Sequence, residues 1–175
     1  MYHGEWKFDR ESGQGVKTWP NGGRYEGEFK KGVAKGQGEF TNGKIKYVGQ
    51  FKKDEFHGQG HMTASDGSSY TGHFQNNKYH GKGSWTLKNG SKYEGKFENG
   101  LPNGKGAQTW EDGSRYDGDF KDYKFHGHGD YLMPDGSRYI GDFQDDLAHG
   151  RGTVEYKNGT QYIGQFEDHK YNGMG

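Results

Sequence analysis

A five-residue pattern, Tyr-x-Gly-x-aromatic, returns along the chain at Tyr2, Tyr25, Tyr47, Tyr70, Tyr93, Tyr116, Tyr139 and Tyr162. The step is 23 residues, shortened once to 22 between Tyr25 and Tyr47. A fixed period of this length means that each repeat is one supersecondary piece stacked on the next, and it excludes most globular folds before any residue is weighed. Two further columns keep the same register. Gly-x-Gly begins at Gly13, Gly36, Gly58, Gly81, Gly104, Gly127, Gly150 and Gly173, and Asn-Gly or Asp-Gly ends at Gly22, Gly43, Gly67, Gly90, Gly113, Gly136 and Gly159. Of the 34 glycines, only Gly23, Gly32 and Gly100 fall outside these columns.

Within a repeat the apolar residues alternate, as in Trp85 and Leu87, Tyr131 and Met133, or Tyr93, Gly95 and Phe97. Period two over about five residues indicates half-buried strands rather than helices. An Asn-Gly or Asp-Gly between two such runs signals a hairpin, since these pairs tolerate the positive φ of a tight reversal. A stretch such as Lys52 to His57 then reads as a loop returning the chain to the next Gly-x-Gly. The expectation is an all-β fold: a single antiparallel β-meander of tandem hairpins over residues 1–175, elongated to roughly 75 Å at strand spacings of ~4.8 Å. Glycine weakens strands unless the missing side chain is needed, so tyrosine and phenylalanine rings are expected to lie on bare glycine backbone in place of an aliphatic core. The other face carries alternating charges, for example Arg24, Glu26, Glu28 and Lys30. In the second repeat the Asn-Gly stands one residue further from its tyrosine, which predicts a bulge or altered turn near Asn42 to Lys46.

Composition supports this and narrows the function. Hydrophobic residues make up 27% of the chain, too few for a Leu/Ile/Val core, while 16% aromatics argue against disorder. No apolar run approaches a membrane-spanning helix, and Met1 is followed by polar residues rather than a signal-peptide block. The absence of cysteine removes disulfides and thiolate chemistry and fits a cytoplasmic protein. Twenty-four basic residues balance 24 acidic ones, so no bulk attraction to nucleic acid or anionic lipid is expected.

The repeat, read as YEGEFKKGVAKGQGEF or YEGKFENGLPNGKGAQTWEDGSR, resembles the MORN (membrane occupation and recognition nexus) repeat over the whole chain. The resemblance implies a glycine- and aromatic-rich β-meander acting as a scaffold in cytoskeletal, ciliary, cell-division or junctional assemblies. It also implies possible attachment to enzymes such as lipid kinases and methyltransferases, and phosphoinositide binding. The family's frequent tryptophan is Phe in seven of the eight patterns and Trp only at Trp6. The final repeat is incomplete, which reads as part of a longer array.

Catalysis finds no support in these residues. His57, His80, His126 and His149 precede successive Gly-x-Gly pairs, but equivalent positions two strands apart stand ~9.5 Å from each other, too far for one zinc. They are expected to cap turns by hydrogen bonds to backbone. Serines sit in turns, and no helix follows Gly-x-Gly to make a phosphate loop. Neither a cofactor nor a metal is expected. The two basic pairs Lys30-Lys31 and Lys52-Lys53 would give weak or no direct lipid binding.

Protein binding is the reading that remains. Beyond the Tyr and Phe columns stand Phe56, Tyr79, Phe125 and Tyr171, placed in the return loops, together with Tyr123. Trp85, Trp110, Tyr131, Tyr156, Met62, Leu87 and Met133 belong to the first strands. These residues either fill the sheet's interior or line an aromatic groove that receives a helix or an extended peptide. Unpaired terminal strands predict a homo-oligomer, a dimer through the array ends. The function expected is a non-catalytic scaffold, with a phosphoinositide-binding membrane tether as the alternative.

Overall fold

The computed structural model describes residues 1–172, so the last glycine pair, Gly173 and Gly175, lies outside the described residues. The chain divides into two compact bodies, Met1–Lys88 and Asn89–Gly175. The first contains β1 (Tyr2–Lys7), β2 (Arg10–Thr18), β3 (Arg24–Lys30), β4 (Val33–Thr41), β5 (Ile45–Lys52), β6 (Glu55–Ala64), β7 (Ser69–Gln75) and β8 (Lys78–Thr86). The second contains β9 (Lys92–Glu98), β10 (Leu101–Thr109), β11 (Arg115–Lys121), β12 (Lys124–Leu132), β13 (Arg138–Gln144), β14 (Leu147–Glu155), β15 (Gln161–Glu167) and β16 (Lys170–Asn172). Within each body every strand pairs antiparallel with its neighbours in sequence, and no helix occurs among the described residues. The all-β meander is therefore present.

One arrangement recurs in both bodies. The central glycine of each tyrosine pattern faces the second glycine of Gly-x-Gly: Gly27 with Gly38, Gly49 with Gly60, Gly72 with Gly83, Gly118 with Gly129. The next strand places its own glycine alongside, so Gly15, Gly27, Gly38, Gly49, Gly60 and Gly72 form one unbroken row across neighbouring strands. Over this row each tyrosine ring folds back along its own strand. The Tyr47 hydroxyl donates to the Gln50 carbonyl at 2.8 Å, and Tyr70, Tyr93, Tyr116 and Tyr139 repeat the bond three residues on at 2.9 Å. A methyl group on Gly60 would meet Tyr47 Cε2 at 2.5 Å, and one on Gly49 would meet the Gly60 Cα at the same distance. The second glycine is thus required by the ring. The first is required by the backbone, as at Gly58, where φ of 61° accompanies the register shift between Gly49 and Phe51.

The core is accordingly aromatic. Tyr25, Tyr47, Tyr70, Tyr93, Tyr116 and Tyr139 are fully buried, and among the buried hydrophobic side chains of the described residues only Ala34, Ala148 and Val154 are not rings. Tyr25, Tyr47, Tyr93, Tyr116 and Tyr139 each meet the phenylalanine of their own pattern edge-on and that of the next repeat likewise; for Tyr47 these are Phe51 at 5.1 Å and Phe74 at 4.9 Å. Such pairs contribute about 0.5–1.5 kcal/mol each beyond area burial. On the opposite face Lys105 pairs with Asp119 at 2.8 Å, Arg115 with Asp117 at 2.8 Å, and Arg138 with Asp130. These exposed pairs add little.

The turns differ from expectation. The tight two-residue reversal lies within the stretch read as a return loop: Lys53 and Asp54 have φ of 53° and 65°, Asn76 and Asn77 51° and 65°. Positive φ at both positions matches the twist of the flanking strands. The Asp-Gly pairs instead close three-residue loops. Trp110 donates its N–H to Ser114 and accepts from Gly113, whose φ of 84° ends the turn. The shifted second repeat does carry an altered turn: Asn42 N–H bonds the Ile45 carbonyl across Gly43 and Lys44, and Asn42 Oδ1 accepts from the N–H groups of both Lys44 and Ile45.

Neighbouring repeats are stitched by the second turn residue. Asn77 donates its N–H to the Phe56 carbonyl and its Oδ1 accepts from Phe56 N–H at 2.8 Å; Asp54 does the same for Ala34, and Asp146 for Phe125. Where the strand residue is Pro102, with no N–H to give, the turn residue is Tyr123, whose backbone N–H still donates to the Pro102 carbonyl.

Gly60→Ala is expected to lower stability by about 3 kcal/mol in urea unfolding, because ring and backbone must both shift. Gly113→Ala, with open space around it but φ of 84°, is expected to lose only about 1–2 kcal/mol. Equal losses would contradict the ring-on-glycine arrangement.

Candidate protein-binding face

The rings that sequence reasoning placed in loops lie on strands. Because the reversal takes two residues rather than six, Phe56 falls on β6, Tyr79 on β8, Phe125 on β12 and Tyr171 on β16. Phe56, Tyr79 and Phe125 lie flat on Tyr47, Tyr70 and Tyr116, with centroids 4.0, 3.8 and 3.8 Å apart and ring planes within 17°. Phe56 is buried and is a core residue, whereas Tyr79 and Phe125 are half-buried. Tyr171 is tilted by 46° over Tyr162 at 4.1 Å and stays half-exposed. Tyr123 alone of this set occupies a turn; its hydroxyl accepts from Gln108 Nε2 at 3.3 Å.

The remaining candidates gather beside these stacks in three places. In the first body, the Tyr79 hydroxyl donates to Met62 Sδ at 3.7 Å and Trp85 lies 6.2 Å from the Tyr79 ring, with Leu87 half-buried just beyond β8. In the second body, Trp110, Phe125 and Tyr131 form a triangle with centroids 5.8 to 6.0 Å apart. Further along, Tyr131, Met133, Tyr156 and Tyr171 border a cavity of about 300 Å³ whose floor includes Tyr139 and Ala148. Sequence reasoning missed Ala148 and Val154 as parts of this cavity. Reading down the column two residues before Gly-x-Gly (Glu11, Ala34, Phe56, Tyr79, Pro102, Phe125, Ala148, Tyr171) was the signal that could have found it.

A second concavity, of about 440 Å³, lies in the first body. Lys7, Lys30, Lys31 and Lys35 surround Phe8 and Phe29, with Glu28 at its side, and the Lys7 ammonium sits 5.7 Å from the Phe8 ring centre. The expected histidine caps are not all made: the Nδ1 atoms of His57 and His126 are buried without a hydrogen-bond partner in the protein. Their backbone carbonyls do the bonding instead, accepting at 3.4 Å from Tyr47 and Tyr116. Among the described residues no group of three His, Cys, Asp or Glu side chains is arranged to hold a metal ion, and no helix is long and apolar enough to cross a membrane.

Burial acts on the tyrosine hydroxyls beneath this face. Desolvation pushes Tyr47 and Tyr139 up to about 12, and raises Tyr25, Tyr70, Tyr93 and Tyr116 further. Nearby carboxylates add to the rise, Glu28 at Tyr25 and Asp119 at Tyr116.

The family model described as MORN repeat matches residues 2–24, 25–44, 47–69, 70–92, 93–115, 116–138, 139–161 and 162–175. No curated protein matches the chain in sequence. Among solved structures, the TCP domain of SAS-4 (dCPAP) from Drosophila melanogaster, solved in complex with a proline-rich motif of Ana2 (dSTIL), is similar in fold. The TM-score is 0.52 at 12% identity, over 88% of this chain and 84% of that one.

An unfolded tyrosine ionises near 10, whereas the buried ones hold their protons to about 12 or beyond. Stability from these hydroxyls is therefore complete below pH ~10 and is lost as pH rises through the folded values, since the unfolded chain releases protons first. Tm is expected to be flat from pH 8 to 9.5 and to fall steeply above pH 10, with tyrosinate absorbance rising in step with unfolding. A Tm unchanged to pH 12 would contradict this burial.

Proposed function

Because the chain belongs to the MORN repeat family, we propose that it is a non-catalytic scaffold that holds protein partners against its aromatic face. The observation that carries this reading is the surplus of half-buried rings. Trp85, Trp110 and Tyr131 are not needed to cover the glycine row, yet they stand beside the tyrosine stacks, where a partner can complete their burial. Aromatic anchors of this kind dominate binding energy at protein interfaces. The fold neighbour's proline-rich ligand supports an extended peptide as the form of partner. The setting proposed is a cytoplasmic assembly attached to cytoskeleton or membrane. Self-association belongs to the same reading: among the described residues β1 pairs with β2 alone, and Trp6 and Phe8 beside that edge are 61% and 88% exposed.

The second reading, a phosphoinositide-binding tether, is favoured by one observation, the four lysines around Phe8 and Phe29. A multivalent anion fits that charge. Glu28 beside them, together with screening at physiological salt, leaves it second.

Selection of peptides from a random displayed library against the full chain tests the scaffold reading. Alanine at Trp110 or Tyr131 is expected to weaken the selected peptides at least tenfold, about 1.4 kcal/mol, while Tm falls by only a few degrees. Peptides that bind undiminished to both variants would reject the aromatic face. Co-sedimentation with phosphoinositide vesicles at 150 mM salt, lost in Lys30→Glu with Lys31→Glu, would instead favour the tether. For self-association, sedimentation equilibrium at tens of micromolar is expected to give a dimer, and a monomer would exclude it for this chain.

A further inference from the structure

Of the seven tyrosines that open the repeated pattern from Tyr25 onward, six are fully buried, but they are not covered alike. On Tyr47, Tyr70 and Tyr116 the chain lays its own ring parallel to the tyrosine: Phe56, Tyr79 and Phe125. On Tyr139 the corresponding residue is Ala148. The edge contacts are kept, with Phe143 at 4.9 Å and Phe166 at 5.0 Å, but among the described residues no ring stacks on the Tyr139 face. The backbone at Ala148 is held as it is at the ring-bearing positions. Its N–H donates to His169 Nδ1 at 3.2 Å and its carbonyl accepts from His169 N–H, just as Phe56 bonds to Asn77 and Phe125 to Asp146.

A missing ring in an otherwise unchanged setting leaves space of a defined shape. That space is the cavity of about 300 Å³, at the lower end of the range for ligand pockets. Tyr131 and Met133 border it from the preceding repeat, and Val154, Tyr156 and Tyr171 from its own hairpin and the following strand. It is open to solvent, because Tyr156 and Tyr171 at its border are 39% and 50% exposed.

We propose that this slot receives an aromatic side chain, Phe or Tyr, from a partner peptide, laid flat on Tyr139 where the other repeats use a ring of their own. The inference rests on the protein-binding reading above and names the chemistry of the partner's anchor. The chain itself indicates the occupant, since it fills the equivalent site with a ring four times, three of them in parallel stacking and the fourth, Tyr171 on Tyr162, tilted by 46°. The equivalent sites that lack such a ring differ in kind. At Glu11, over Tyr2, the residue is charged. At Ala34, over Tyr25, Trp19, Phe40 and Phe56 take the positions of Met133, Val154 and Tyr171, but Lys17 and Asn42 take those of Tyr131 and Tyr156, so two of the borders are polar. At Pro102, over Tyr93, the pyrrolidine ring is itself fully buried.

The test uses the full chain with labelled alanine, valine and methionine methyl groups and three probes: N-acetyl-phenylalanine amide, N-acetyl-leucine amide and N-acetyl-proline amide. The phenylalanine probe is expected to shift the methyl resonances of Ala148, Val154 and Met133, which all line the cavity, with saturation in the millimolar range, as suits so small a ligand, and at least fivefold more tightly than the other two. Ala148→Phe, which copies Phe56, is expected to raise Tm by about 2–5 °C and to abolish the shifts at Val154 and Met133. Equal or tighter binding of the leucine or proline probe, silence at all three methyl positions, or shifts at Val154 and Met133 that persist in folded Ala148→Phe would each overturn the proposal. Should that variant not fold, Tyr156→Ala at the border serves: probe affinity should fall at least threefold with Tm nearly unchanged, and unchanged affinity overturns the slot. No partner enters the titration, so its failure removes the slot and leaves the face-level reading to the peptide selection.

Discussion

The structure depends on a tyrosine ring lying against two glycines that face each other across a strand pair. Everything else adjusts to that contact. A ring folded along its own strand needs bare backbone below it, as Tyr47 needs Gly60, and its buried hydroxyl needs an acceptor, which the carbonyl three residues on supplies. Because the next strand contributes its own glycine at the same level, the contact repeats without change of register, as from Gly49 through Gly60 to Gly72. A chain with few aliphatic residues thereby acquires an interior in which edge-to-face rings replace interdigitated Leu, Ile and Val.

This division of labour leaves certain columns free to vary. The glycines, tyrosines and phenylalanines are fixed by the contact, whereas the residue two before Gly-x-Gly is Glu11, Ala34, Phe56, Tyr79, Pro102, Phe125, Ala148 or Tyr171. At Ala34, Phe56, Phe125 and Ala148 its backbone is held by the turn of the following repeat whatever its side chain, and where proline removes the donor the turn residue changes with it, as at Pro102 and Tyr123. The variable column borders the extra rings Trp110, Tyr131 and Tyr156, so the surface can be altered from repeat to repeat without disturbing the stack beneath. A repeat array can in this way vary its surface while keeping a common core.

Much of this was legible in the residues because periodicity speaks directly to fold. The tyrosine and glycine columns named the strands, the faces and the rings that would be buried, and the displaced Asn42-Gly43 announced its altered turn. The turns were harder. Asn-Gly and Asp-Gly signal positive φ without saying whether the loop holds two or three residues, and Lys53-Asp54 carries no glycine to mark the tighter reversal. That error moved Phe56, Tyr79, Phe125 and Tyr171 from strands to loops, and so hid the fact that they stack on tyrosines. The buried imidazoles of His57 and His126 escaped for a similar reason: a cap is inferred from sequence position, but which atom bonds is fixed only once the tyrosine hydroxyl has reached the carbonyl.

The contact between ring and glycine is tested most directly by a double-mutant cycle on Tyr116 and Gly129, followed by chemical unfolding. The three atoms nearest the methyl group of Gly129→Ala all belong to Tyr116, so replacing Tyr116 with Leu should relieve most of its cost and give a coupling of at least about 1 kcal/mol. Gly118→Ala also meets the backbone of Gly129, at 2.6 Å, and should retain more of its cost in the Tyr116→Leu background. Losses at Tyr116 and Gly129 that add within about 0.3–0.5 kcal/mol would mean that ring and glycine act independently, and would contradict the account.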